Sequence, residues 1–200
     1  MFRFASIASR YLLGATLLLS PIIAYGANRS AVSSDGNLQA NLVVLGRGDE
    51  NGNGTEALVL LDKRRGAKKT LVVAKYDDDH TRNLTGLSDP IFSLNNGFIY
   101  INSSDSSPYR SAVHQISIST GVVRFITGGW ALSVIRNGPY RGFLIVQKHL
   151  IRDQGRKGTY NPVFVIRPDG HKELMIPGSD NDDGELAVAP WLARKGWHAW

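Results

Sequence analysis

The chain of 200 residues contains no cysteine. Disulfide bonds, thiolate nucleophiles and cysteine-based zinc sites are therefore excluded, and the stability of the fold must come from packing. Signatures of catalysis are also missing, because no Gly-X-Ser-X-Gly elbow, His-Glu-X-X-His helix, phosphate-binding glycine loop or dinucleotide fingerprint occurs. We therefore predict a protein that is not an enzyme and that has no cofactor and no resident metal.

The sequence also lacks the pattern of an amphipathic helix, because no apolar run has the required length and a spacing of three to four residues. The runs are short, rich in Val, Ile, Phe and Tyr, and separated by turn sequences such as Asn95-Asn96-Gly97. They cover residues 42–45, 57–61, 70–74, 91–94, 98–101, 113–118, 122–126, 132–135, 143–146, 163–166 and 174–176. This pattern predicts an antiparallel all-β fold, with a short helix only within residues 185–200.

Three of the runs, 98–101, 143–146 and 163–166, are apolar at consecutive positions instead of alternating. A strand that is apolar on both faces is covered on both faces, as happens when sheets stack upon one another. Sandwiches and stacked propeller blades both satisfy this condition.

The first 26 residues carry Arg3 and Arg10, an apolar stretch at 11–19, the interruption Ser20-Pro21, and small residues around a cut after Gly26. These features are typical of a cleaved secretory signal peptide, whereas a membrane-spanning helix needs about 20 apolar residues. We predict a periplasmic or secreted protein with no stable membrane insertion after cleavage. The remaining boundaries are a flexible leader at 27–40, one β domain at 41–178, and an acidic linker with a Trp-rich tail at 179–200.

Residues 84–129 have the order of one four-stranded unit: a Ser-Asp-Pro-Ile-Phe-Ser strand, an Asn-Asn-Gly turn, a second strand, a polar loop, and two strands joined by Thr-Gly. This order resembles the repeat of the periplasmic TolB-like β-propeller family. The matching positions are Ser88, Pro90, Phe92, Ser93, Gly97, Tyr100, Thr120, Gly121, Arg124 and Thr127. A looser copy covers residues 130–178, and residues 41–78 form a third set that looks incomplete.

The resemblance implies an incomplete β-propeller-like stack of about three antiparallel four-strand meanders, with a non-enzymatic, protein-binding role. The sequence departs from the family because it shows no counterpart of the amino-terminal α/β domain of TolB. Three blades also cannot close a ring, which normally needs four to eight. Closure by a second copy of the chain and capping by the carboxy-terminal tail, with Trp191, Trp197 and Trp200, both stay open, and capping is favoured.

Positive charge is concentrated in one segment. Loss of Arg3 and Arg10 lowers the formal charge from +6 to +4, and residues 136–157 hold six cations against Asp153 alone. The partner that such a field favours is an acidic protein surface, an anionic lipid or an anionic glycan, and nucleic acid is not expected outside the cytoplasm. A solvated basic face is the alternative.

Aromatic side chains, Trp130, Tyr140 and Tyr160, interleave with these cations, as is typical of protein interfaces. We therefore predict that the chain binds an acidic, envelope-associated protein. The predicted contacts are Arg136, Tyr140, Arg141, Lys148 and Arg152. The alternative functions are a periplasmic inhibitor or immunity protein against an envelope-attacking toxin or lysozyme-like enzyme, and an envelope glycan hydrolase or lyase.

Three polar clusters could imitate metal sites. The stretch GDENGNGTE at 48–56 opens like a calcium loop, but Leu60 stands where the closing carboxylate belongs, which favours a hairpin connection. Asp77, Asp78, Asp79 and His80 are interpreted as a solvated turn, and residues 180–185 as a linker. His114 and His149 lie in strand-like runs, where we expect hydrogen-bonded structural imidazoles.

Overall fold

Three four-stranded antiparallel sheets follow one another along the chain in the computed structural model, which describes residues 29–50, 54–104, 111–152 and 158–199. The first meander consists of β1 (Ser30–Val32), β2 (Leu38–Val44), β3 (Glu56–Asp62) and β4 (Ala67–Val73). The second consists of β5 (Ser88–Phe92), β6 (Phe98–Ser103), β7 (Ala112–Ser117) and β8 (Val123–Gly128).

The third meander has an insertion. It consists of β9 (Trp130–Val134), β10 (Leu144–Gln147), β13 (Val163–Ile166) and β14 (Lys172–Met175). Between β10 and β13 the chain forms a separate hairpin of β11 (Leu150–Ile151) and β12 (Thr159–Tyr160), which the sequence analysis missed. Each predicted apolar run coincides with a strand of one of the three meanders, so the all-β prediction is confirmed.

The first strands of the three meanders lie side by side, because β1 contacts β5 and β5 contacts β9. They line a common axis, and β4, β8 and β14 form the outer edges of the sheets. This is the arrangement of propeller blades, and the described residues form three blades that do not close a ring. The predicted incomplete β-propeller-like stack is therefore confirmed.

Apolar cores fill the spaces between the layers. One cluster joins the first and second meanders through residues such as Leu42, Leu58, Ile99 and Ile116. A second cluster joins the second and third meanders and includes Tyr100, Leu144 and Phe164. Because the second and third sheets are covered on both faces, their middle strands have no solvent-exposed side, as the consecutive apolar runs predict.

The predicted flexible leader at 27–40 is wrong for most of its length. Residues 30–32 form β1, which pairs with β2 in the register Ala31 to Ala40. Both alanines pack in the first core cluster. The connecting turn is closed by Ser33, whose N–H donates to the Leu38 carbonyl oxygen at 2.9 Å. Since β1 supplies the missing innermost strand, the first meander is complete.

The hairpin at 42–61 is confirmed, because Leu42 of β2 is paired with Leu58 of β3 and residues 45–55 connect them. Residues 51–53 of that connection lie outside the described residues, as does the predicted signal peptide. A single residue, Gly129, joins β8 to β9. It has a φ of +119°, and a Cβ there would collide with the Gln147 carbonyl oxygen.

The carboxy-terminal tail contains the predicted short helix. A 3-10 helix (Gly184–Ala187) leads into α1 (Val188–Lys195), which ends at Gly196 with a φ of 67°. Trp191 and Leu192 are buried in a third core cluster against Ile145, Val163 and Val165. The tail therefore caps the outer face of the third meander. Within the described ranges, no helix is both long enough and apolar enough to cross a bilayer.

Aromatic stacking fastens the end of the tail to the loop between β9 and β10. The Trp197 ring lies edge-on to Trp191 and to Tyr140, with ring centres 5.2 and 5.6 Å apart. The His198 carbonyl oxygen accepts from the Arg136 N–H at 2.7 Å. Gly138 is required here, because a Cβ would lie 2.5 Å from the Trp197 indole nitrogen. Trp200 lies outside the described residues.

We expect the tail to be part of the folding unit. Trp191→Ala removes a buried indole from the third cluster and should lower the free energy of unfolding by about 3–5 kcal/mol, measured by urea denaturation. Leu186→Ala is the control, because that side chain is 70% exposed, and its effect should stay within about 0.5 kcal/mol. Equal stability of the two variants would contradict a structural role for the tail.

Candidate functional site

The two ends of the strands form two different rims. Short turns, β1–β2, β3–β4, β5–β6, β7–β8 and β13–β14, lie together with the β9–β10 loop at one end, here called the turn rim. The longer connections β2–β3, β4–β5, β6–β7 and β10–β13 lie at the opposite end, the connection rim. Contacts between meanders confirm the grouping on the turn rim: Lys69 Nζ donates to the carbonyl oxygens of Ile118 (3.1 Å) and Ser119 (2.8 Å).

Charge is segregated between the rims among the described residues. The turn rim and adjoining strand ends carry the cations Lys63, Arg64, Arg65, Lys68, Lys69, Arg124, Arg136, Arg141, Arg167, Lys172, Arg194 and Lys195, against the acids Asp35, Asp62, Asp169 and Glu173. The connection rim carries the acids Asp49, Glu50, Glu56, Asp77, Asp78, Asp79, Asp89, Asp180, Asp182, Asp183 and Glu185, against the cations Arg29, Arg47, Lys75, Arg82, Lys148 and Arg152. One rim is therefore basic and the other acidic.

A groove opens at the turn rim on the axis of the stack. Its volume is about 120 Å³, and it lies between the ends of β1, β5 and β9. The apolar part of the lining includes Val32, Phe92, Leu94 and Val134, and Ser34, Ser93 and Arg136 add polar groups, so the exposed surface of the groove is of mixed polarity. This axial groove offers a small recess beside a guanidinium in the middle of the basic rim.

Three of the predicted contacts belong to this site. Arg136 borders the axial groove, and the side chain of Arg141 is exposed in the same β9–β10 loop. Tyr140 lies in that loop too, but its ring packs against Phe143 and Trp197 at centre distances of 5.7 and 5.6 Å. Tyr140 therefore positions the loop against the tail while part of it stays accessible.

Lys148 and Arg152 follow β10 and lie at the connection rim, away from the other three. Lys148 Nζ donates to Thr127 Oγ1 at 3.0 Å beside the Phe164 ring, and burial lowers the pKa of this lysine, with Lys172 as a smaller cause. Arg152 donates to Asp182 Oδ1 at 2.8 Å, with its guanidinium 5.1 Å from the Tyr160 ring centre. Both side chains thus have structural partners, and the predicted set is divided between two surfaces.

Several cations of the turn rim escaped the sequence analysis. Arg64 donates through Nε to Asn37 Oδ1 at 2.7 Å, and Arg65 lies 3.9 Å from Asp62 with its side chain almost fully exposed. The signal was present in the run DKRRGAKK at residues 62–69, which holds five cations and one acid. Arg167 gave no such signal, because only the fold places it at this rim.

The acidic clusters of the connection rim form turns, and their carboxylates accept hydrogen bonds from other side chains of the chain. Asp77 accepts from the Arg82 guanidinium at 3.0 and 3.1 Å, which lowers the pKa of Asp77. The Thr81 hydroxyl donates to Asp79 and lowers its pKa. Among the described residues, no three His, Asp or Glu side chains converge to hold a metal ion.

The predicted linker at 180–185 is attached to the third meander. Arg152 binds Asp182, the Asn161 side-chain amide donates to the Asp182 carbonyl oxygen at 2.7 Å, and Gln147 hydrogen-bonds Glu185. His149 contacts the same Asn161 through Nδ1 at 2.6 Å, which places it in a structural hydrogen bond. The segment therefore fastens the beginning of the tail.

His114 forms a buried pair with Ser103. The serine hydroxyl donates to the Asn83 carbonyl oxygen at 2.9 Å, so it accepts from His114 Nε2 at 3.0 Å. Both side chains are buried, and burial lowers the pKa of His114 to about 4. The neutral imidazole is thus part of the packing between β6 and β7, as predicted, and the serine proton is already committed to a carbonyl group.

No family model matches the sequence, and no curated protein matches it. Among solved structures, the chain is similar to the tricorn protease, with a TM-score of 0.46, 13% identity, and coverage of 70% of this chain and 12% of that chain. It is also similar to TolB from Acinetobacter baumannii, with a TM-score of 0.36, 15% identity, and coverage of 78% of this chain and 45% of that chain. The chain thus spans less than half of each. Likenesses this weak carry no argument, and the β-propeller-like assignment depends on the topology of the chain itself.

The pKa of His114 predicts a pH-dependent stability. Because the folded pKa is about 4 and the ordinary value is 6.5, the unfolded state binds the proton first, and stability falls as the pH drops from 6.5 towards 4. The loss should be about 2 kcal/mol between about pH 7 and pH 5. Urea denaturation across this range should show the slope in the natural protein and a clearly smaller slope in His114→Gln. An NMR titration that finds the folded ring protonating near its ordinary pKa would contradict the assignment.

Proposed function

We propose that this chain is a non-enzymatic, β-propeller-like module that binds an acidic protein through its turn rim. The observation that carries the proposal is the segregation of charge, with cations gathered around an open axial groove of mixed polarity. Basic side chains around such a recess attract an acidic partner over long range, and the apolar residues of the recess add contact area that holds it. Arg136 contributes both to the positive charge of the rim and to the wall of the groove.

The geometry supports a surface with two kinds of contact. The exposed arginines, Arg65 and Arg141, would raise the rate of encounter and select for acidic surfaces. The groove would take one side chain of the partner, since its volume of 120 Å³ is far below that of an ordinary small-molecule pocket. An inhibitor or immunity protein would use the same rim against an acidic toxin.

The location and the kinship are part of the same proposal. A cleaved signal peptide at residues 1–26 would export the chain to the periplasm, and its partner would then be an envelope protein. The repeat at 84–129, with Ser88, Pro90 and Phe92 on β5 and Thr120-Gly121 in the β7–β8 turn, supports kinship with TolB-like propeller repeats. Protein binding by a periplasmic module follows from that kinship as an analogy.

Reversing charge at the turn rim should weaken partner binding. In Arg136→Glu/Arg141→Glu the two substituted side chains repel an acidic partner, so recovery of the partner from periplasmic extract at low salt should fall about tenfold or more. Recovery is measured by quantitative mass spectrometry of proteins retained by the immobilised, processed protein.

The matched control is Arg29→Glu/Arg47→Glu, which makes the same change of charge at exposed positions on the connection rim. This variant should retain the partner. If both double variants recover the same proteins as the natural chain, or if loss follows the connection rim, the turn rim is not the binding surface.

Export is tested separately from binding. The protein recovered from cells expressing the full chain should begin at Ala27 and should leave with the periplasmic contents on osmotic shock. Replacing two apolar residues of the segment, Leu12→Arg/Leu17→Arg, should stop processing and hold the chain in the cell with Met1 or Phe2 at its start. A natural chain that keeps residues 1–26 while it is in the cytoplasm would contradict the proposed location.

A further inference from the structure

The end of the tail is held to the β9–β10 loop by one side-chain amide, that of Asn137. Its Oδ1 accepts a hydrogen bond from the His198 N–H at 2.7 Å, and its Nδ2 donates to the Gly196 carbonyl oxygen at 3.1 Å. These two bonds are here called the Asn137 clasp. One backbone partner is a donor and the other an acceptor, so the clasp needs an amide. An aspartate could only accept, and in the same position it would set an oxygen against the Gly196 carbonyl oxygen.

The clasp places the tail end at the axial groove. Ala199, which directly follows the clasped residues, is buried and lines the groove together with Arg136. The Arg136 N–H also donates to the His198 carbonyl oxygen at 2.7 Å. Side-chain and backbone hydrogen bonds therefore hold the same tail residue, and loss of the clasp would loosen one wall of the groove.

The residue after Asn137 makes this amide chemically reactive. Deamidation begins when the backbone nitrogen of the next residue attacks the side-chain carbonyl carbon of asparagine, and a glycine there has no Cβ to obstruct the attack. Gly138 is exposed, and its N–H has no acceptor among the residues that the structure describes. In Asn96-Gly97, the other Asn-Gly pair that lies wholly within those residues, the Gly97 N–H donates to Asn95 Oδ1 at 3.1 Å. The attacking nitrogen is thus free at the first pair and occupied at the second.

We propose that Asn137 is a deamidation site, protected while the tail is docked and reactive when the tail end opens. The Gly138 nitrogen loses its proton to solvent and forms a bond to Asn137 Cγ. The Cγ–Nδ2 bond breaks, and Nδ2 leaves as ammonia after taking up a proton from solvent. Water then opens the resulting succinimide ring to aspartate or isoaspartate, with no oxidant or reductant. The clasp hinders the first step, because Nδ2 is bound to Gly196 and the side chain cannot turn freely towards the attacking nitrogen.

The product would keep the tail end from docking as before. A carboxylate has no hydrogen to donate to Gly196, and it adds a negative charge beside Arg136 at the groove. The effect on a partner rests on the proposed function: the modified turn rim would bind an acidic protein less tightly, because its positive charge is reduced and one wall of its groove is loosened. The modification itself is measured on the isolated protein.

Peptide mapping by mass spectrometry, during incubation in mildly alkaline buffer, follows the two Asn-Gly pairs separately. His198→Pro removes the N–H that Asn137 accepts and leaves the indoles in place, whereas Trp197→Ala removes the ring that lies against Gly138. Each variant should speed deamidation of Asn137 about tenfold or more relative to Asn96, because local opening releases the reactive amide. The ratio within one sample separates this opening from a general loss of stability.

An unchanged ratio of the two rates in both variants overturns the proposal. So does an Asn137 that stays intact in both variants while the same chain, unfolded in guanidinium chloride, deamidates at that position.

The deamidated natural protein tests the consequence for the tail. Its extra negative charge separates it from unmodified protein by ion exchange, and amide hydrogen exchange over residues 196–199 should be about tenfold or more faster in the modified fraction. Asn96→Asp is the matched control, because it makes the same change of charge at the other Asn-Gly pair, and its tail should exchange like that of the natural chain. Equal exchange in the modified and unmodified fractions overturns the role of the clasp. Neither measurement uses a partner, so both are independent of whether the turn rim binds one.

Discussion

Coverage of sheet faces is the constraint on which this structure depends. With no cysteine in the chain, apolar side chains must be removed from water by packing one sheet on the next. In β6, Ile99 and Ile101 point into the first core cluster, and Tyr100 between them points into the second. The same alternation divides β10, where Leu144 and Val146 face the second meander and Ile145 faces the tail. In a continuous apolar run, successive side chains therefore point to opposite faces of the sheet, and both faces are buried.

This constraint explains what could be predicted from sequence. Runs such as 143–146 and 163–166 carry their burial in their composition, so strands and stacking follow from pattern alone. β1 could not be found in this way, because its three residues, Ser30–Val32, carry no strand pattern of their own. They form a strand because they pair with β2 and because the small side chain of Ala31 packs against the first core cluster. The position of the tail was equally open, since Trp191 would suit a cap or an interface, and only the fold shows that the tail covers the outer face of the third meander.

The candidate site shows the opposite case, in which neighbours in sequence are separated in space. The basic segment 136–157 contains β10, whose four residues are about 14 Å long, so Arg136 and Lys148 lie at opposite rims. Residues 62–69 and Arg167, distant in sequence, meet on the turn rim because all short turns of a meander stack point the same way. Counting charges along the chain therefore identifies a basic segment. In the fold, the rim at which each charged residue lies depends on the direction of its strand. A prediction of strand order would have been needed to locate the rim.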